Sequence, residues 1–113
     1  MLIAAIILFI SAMSFGLVLL SALLQERVVN NRALLAHGIS AGIAILLMII
    51  YLWRVDSSAS LITSLVLFIG AAIGGLTLAH LDFRQGIIPK VLVVLHPVVA
   101  LAGLVVLISY VLP

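Results

Sequence analysis

His37, His80 and His96 are the ionisable side chains that lie well inside the long apolar stretches of this sequence. No Asp, Glu or Arg shares those stretches, and Lys90 sits at the very edge of the last one. An ionisable group at membrane depth is costly to keep there and is a functional candidate by default. Imidazole can ligate haem iron or a non-haem metal, carry protons, or bond a backbone carbonyl. The sequence has no cysteine, which removes disulfides, thiolate zinc sites, iron–sulfur clusters and cysteine nucleophiles together. A Ser/His/Asp constellation is excluded because no acid lies within the apolar stretches. Phosphate loops and the His-Glu-x-x-His metalloprotease pattern are absent as well.

The elements that must position the histidines follow from composition. Of 113 residues, 67% are hydrophobic and 7% charged, with a mean hydropathy of +1.59. Soluble domains run at about 45–50% apolar and about 25% charged, so a water-soluble globular fold is excluded, and so is disorder. Five Lys+Arg against three Asp+Glu leave a net charge of +2, too little to indicate nucleic acid. Four apolar runs, Met1–Leu24, Ala33–Trp53, Ser58–Leu81 and Pro89–Leu112, each have the length an α-helix needs to cross a core about 30 Å thick. No alternation of the kind a membrane barrel requires is present. The short linkers Gln25–Arg32, Arg54–Ser57 and Asp82–Ile88 make consecutive spans antiparallel. The expected fold is therefore an all-α membrane protein, a single transmembrane domain (1–113) of four helices in an up-down bundle. The first run lacks a basic leader and an Ala-x-Ala site, so it reads as a retained helix. Pro97 should kink the fourth span rather than begin it, because the remainder would be too short to cross.

Arg27, Arg32, Arg84 and Lys90 fall on one side of the bundle, with Arg54 and the amino terminus on the other. The positive-inside rule then predicts an integral protein of a bacterial inner (plasma) membrane, with both termini outside the cytoplasm. Tyr51, Trp53 and Tyr110 would form an aromatic belt at the outer interface.

Sliding the chain against itself until His37 meets His96 aligns its halves without gaps, giving hairpins 1–56 and 57–113. In that register Leu8-Phe9-Ile10 meets Leu67-Phe68-Ile69, Ala12 meets Ala71, Gly16-Leu17 meets Gly75-Leu76, and Tyr51 meets Tyr110. Such a repeat implies a pseudo-twofold axis along the membrane normal, with spans two and four diagonal. His37 and His96 become a pair, whereas the counterpart of His80 is Ser21.

Two paired histidines at similar depth on diagonal helices suit haem b. Neighbouring axes 8–10 Å apart place diagonal axes about 11–14 Å apart, room for a porphyrin between two imidazoles. Small residues flank both histidines: Ala33, Ser40, Ala41 and Ala44 for His37, Ala100 and Gly103 for His96. Arg27, Arg32, Arg84 and Lys90 lie on the side where the propionates would need cationic partners. In its four spans and its Ala-His37-Gly and Leu-His96-Pro pair, the chain resembles the small membrane b-type cytochromes of the cytochrome b561-like kind. That resemblance implies electron transfer, with a quinone or a redox partner subunit exchanging electrons. The family pattern uses four histidines for two haems, and nothing comparable occupies the other half of this chain, so the resemblance extends to a one-haem device.

Other readings stay open beside it. Histidines near helix ends commonly bond a carbonyl or reach the interface. His37, His80 and His96 could together hold a non-haem metal, with Asp82 or Glu26 helping, or could relay protons. A cofactor-free anchor or assembly subunit of a larger complex is the alternative from another class. Gly38-x-x-x-Gly42 and Gly70-x-x-x-Gly74, with Gly75 and Ala79 following, predict close helix packing within the bundle or a homodimer through span three. A small multidrug transporter has this size, but its family relies on a carboxylate in span one, and Met1–Leu24 has none.

Overall fold

A computed structural model describes residues 1–112. Each expected span is one helix: α1 Leu2–Leu24, α2 Asn31–Arg54, α3 Ala59–Phe83 and α4 Lys90–Val111. All four are long and apolar enough to cross a membrane, and the bundle's long dimension is 42 Å. The helix ends follow local chemistry more than hydropathy. α2 starts ahead of its apolar run because the Asn30 side chain accepts from the Arg32 and Ala33 N–H groups at 2.9 and 3.3 Å. Ser58 caps α3 through Leu61 N–H in the same manner. α4 runs unbroken through Pro97, which settles the choice between a proline inside the helix and a helix beginning there.

α1 and α3 end in the same turn. Arg27 N–H donates to the Ala22 carbonyl at 2.8 Å, and Gly86 N–H to the Leu81 carbonyl at 2.9 Å. The residues between, Glu26 and Gln85, take left-handed φ values of 56° and 53°. This is the Schellman ending, built with side chains where glycine is the usual occupant. The two turns coincide when the halves of the chain are aligned, Glu26 falling on Gln85.

α1 packs along α2 and α3 along α4. The hairpins meet less extensively through α1 with α4 and α2 with α3, which leaves α1/α3 and α2/α4 as the diagonals. One buried cluster joins both hairpins: Leu2, Ala5, Phe9, Ala44, Met48, Leu61, Phe68, Leu104 and Leu107. All of these lie toward the end where α1 and α3 begin. Across the diagonal Phe9 stacks on Phe68, ring centres 3.7 Å apart and planes within 5°. Toward the opposite end the second cluster, Leu19, Ala22, Val29 and Ala33, belongs to the first hairpin alone.

Ser14, Thr63, Thr77 and Ser109 bond carbonyls of their own helices, as expected for hydroxyls in apolar spans. Ser64 departs from that pattern and donates across to the Gly103 carbonyl of α4 at 2.8 Å. The glycine expectation needs correction. A β-carbon on Gly38, Gly42 or Gly70 would meet nothing within 4 Å, so these glycines do not serve packing inside the bundle. Close approaches do occur at Gly75, within the expected stripe of span three, and at Gly16 and Gly103 outside either stripe. At the end where α1 and α3 begin, the Tyr110 hydroxyl bonds the Asp56 carboxylate, while Trp53 is 85% exposed.

Candidate functional site at the paired histidines

His37 stands in the second turn of α2 and His96 in the second turn of α4, both half-buried. Each ring reaches back to the first helix of its own hairpin. His37 Nδ1 lies 2.7 Å from the Ala12 carbonyl oxygen, and His96 Nδ1 lies 2.7 Å from that of Ala71. A carbonyl only accepts, so both Nδ1 atoms must carry the proton, and a neutral ring then keeps its lone pair on Nε2. In a continuous helix each of these carbonyls already accepts from the N–H one turn on, namely that of Gly16 or Gly75. The imidazole takes the second lone pair.

Glycine at that position makes the contact possible. A β-carbon at Gly16 would lie 3.2 Å from His37 Cε1, and one at Gly75 would lie 2.9 Å from His96 Cε1. A larger residue would require the ring to shift, by a few tenths of an ångström at position 16 and by more at position 75. The working unit is thus Ala-x-x-x-Gly on the first helix of a hairpin and His on the second. It occurs as Ala12, Gly16 and His37, and again in the same spacing as Ala71, Gly75 and His96. Ala12, Gly16 and Ala71 had no assigned role from their types, whereas Gly75 belonged to the small-residue stripe of span three. Their signal was the match between the two halves, which aligned them along with the histidines.

Across the diagonal the two ring centres lie 6.0 Å apart with planes at 79°, an edge-on arrangement. Two imidazoles bound through Nε2 to opposite sides of one metal ion, with bonds of about 2 Å, have ring centres roughly 6 Å apart. The spacing of the ring centres is thus compatible with two imidazoles sharing one ion. The shared apolar cluster also ends at the Phe9–Phe68 pair, so the histidine depth is where the two hairpins have no common buried core among the described residues.

His80 does not join them. It lies on an exposed face of α3, and among the described residues no group of three or more His, Cys, Asp or Glu is placed to hold a metal ion. Asp82 and Glu26 lie at the end of α3 and beyond the end of α1. The four cations are all exposed at the histidine end of the bundle. Arg27 donates to Ser21 Oγ at 3.0 Å, and Arg27 and Lys90 line one cleft together with Glu26 and Asp82. Arg32 lies in the first turn of α2, and Arg84 follows the end of α3.

No protein-family model, curated protein or solved structure matches this chain.

Proposed function

We propose that this integral membrane protein binds one haem b between His37 and His96 and exchanges electrons within the bilayer. The observation that carries the reading is the pair itself: two histidines of fixed tautomer, related by the internal repeat, with ring centres 6.0 Å apart. When bound, the haem would supply one-electron chemistry at an iron with no open position for oxygen. The chain's own residues do the rest. The Ala12 and Ala71 carbonyls hold each imidazole in orientation and make its free nitrogen a better donor, the usual work of a partner to a metal-bound histidine. Two haem carboxylates need cationic partners, and the cations at the histidine end supply that charge. Arg32 and Arg84 are the better placed of the four, because Arg27 and Lys90 share their cleft with two acids. The positive-inside rule supports that end in the cytoplasm of a bacterial cell, with both termini outside. Electrons would pass to or from a quinone or a redox partner subunit, in keeping with the resemblance to cytochrome b561-like proteins. Open glycines at 38, 42 and 70 leave faces on α2 and α3 that a second copy could approach.

One observation favours a second reading. The bonds from His37 to Ala12 and from His96 to Ala71 would also clasp each hairpin in a cofactor-free anchor or assembly subunit.

An absorption spectrum separates the two. Protein expressed with haem supplied and purified in detergent should show Soret and α bands that sharpen on dithionite reduction. Both bands should vanish in His37→Ala and in His96→Ala and persist in His80→Ala. A colourless wild-type protein would sink the cytochrome reading and leave the clasp.

A further inference from the structure

A cleft of about 360 Å³ opens at the histidine end, between the end of α1 and the turn joining α3 to α4. Its walls divide by chemistry. Glu26 and Asp82 contribute two carboxylates and Arg27 and Lys90 two cations, while Leu23, Ile88 and Val93 make the apolar part. These residues stand at the ends of spanning helices, which is the depth of lipid headgroups.

The charges mark the place where the two hairpins differ. In the register that pairs the histidines, Glu26 is replaced by Gln85, Arg27 by Gly86 and Lys90 by Asn31. The equivalent position between α3 and α2 would therefore keep only Asp82 and Arg27. Doubled opposite charge is particular to the α1–α4 side. A simple anion entering there would face Glu26 and Asp82, and a simple cation would face Arg27 and Lys90. A group that carries both signs offers each of the four a partner of opposite charge. If its cation is a primary ammonium, three N–H donors are available to the two carboxylates, which a trimethylated nitrogen lacks. Charge-assisted bonds of that kind are about twice as strong as neutral ones.

We propose that this cleft binds a phosphoethanolamine group, supplied by phosphatidylethanolamine of the surrounding bilayer. The phosphate meets Arg27 and Lys90, the ammonium meets Glu26 and Asp82, and the lipid's glycerol end rests on the apolar wall beside Ile87, which is 93% exposed. Nothing here depends on the haem.

The test uses the full chain in nanodiscs of equal phosphatidylethanolamine, phosphatidylcholine and phosphatidylglycerol, released into a mass spectrometer under native conditions. Wild type should retain one phosphatidylethanolamine in preference to the other two lipids. Lys90→Gln and Asp82→Asn should each lower that retention about tenfold, and Arg54→Gln, at the opposite end, should not change it. Circular dichroism of each variant identifies any that fails to fold. Retention of phosphatidylglycerol or phosphatidylcholine equal to that of phosphatidylethanolamine would overturn the proposal. So would retention indifferent to both cleft substitutions. Displacement of the lipid by equimolar soluble phosphoethanolamine would keep the headgroup chemistry and overturn the bilayer as its source. His37→Ala should retain the lipid whether or not the wild-type protein is coloured, so failure of the haem reading is scored separately.

Discussion

Position 75 is the tighter of the two glycine sites, because a methyl group there would meet His96 Cε1 at 2.9 Å and the ring would have to shift. Position 16 is slightly less strict, at 3.2 Å from His37. Gly75→Ala should therefore be the more harmful substitution. Overpacking of this kind costs about 1–3 kcal/mol, and the shifted ring should also lose its carbonyl bond. Gly74→Ala is the internal comparison, since a methyl group there meets His96 at 3.8 Å, an ordinary contact. Thermal unfolding in detergent should rank Gly75→Ala below Gly16→Ala, with Gly74→Ala near wild type. If the haem proposal holds, the α band should weaken in the same order. Equal stability of all three variants would mean that the glycines are not what admits the imidazoles.

Between hairpins Phe9 stacks on Phe68. Phe68→Ala should destabilise by about 3–5 kcal/mol. A double-mutant cycle with Phe9→Ala should return a coupling of about 0.5–1.5 kcal/mol beyond area burial. Additive single effects would mean that each ring packs mainly on its own hairpin. Ser64 belongs to the other kind of contact. Its bond to the Gly103 carbonyl lies within a hairpin, and the equivalent pair in the first hairpin, Ala5 and Ala44, is buried with no such bond. Ser64→Ala should therefore cost only about 0.6 kcal/mol, typical of hydroxyl bonds between membrane helices. The four elements were legible in the sequence because a spanning helix needs only length and apolarity. The pairing of His37 with His96 was legible because Phe, Gly, His and Tyr are scarce enough here for one shared offset to stand out. Which face each helix turns inward was not legible. Lipid and protein interior both accept Leu, Ile and Val, so a span that is apolar all round carries little directional signal. That is why the outward aim of His80 and the open positions of Gly38 and Gly42 came only with the structure. The carbonyls of Ala12 and Ala71 were hidden for a simpler reason, since a backbone acceptor leaves no mark on residue type.

The whole molecule is two hairpins tied firmly at one end. The shared cluster and the aromatic stack lie toward the tyrosines, while at the histidine depth no buried cluster joins the hairpins among the described residues. Local opening follows contact density. Amide exchange in nanodiscs should therefore be faster at the histidine ends of α1 and α3 than in the halves that carry Phe9 and Phe68. Haem bound between the histidines should slow exchange there selectively. Uniform protection along both helices of the haem-free protein would contradict this division.

The two hairpins run in the same direction, and that has a consequence of parity. A unit that crosses the membrane an even number of times returns the chain to its starting side, so a tandem copy enters facing the same way. His37 and His96 share a leaflet for that reason alone. Gain or loss of any single crossing between them would invert the second unit and carry His96 to the opposite surface. The bundle can thus absorb changes within its turns far more readily than a change in its count of spans.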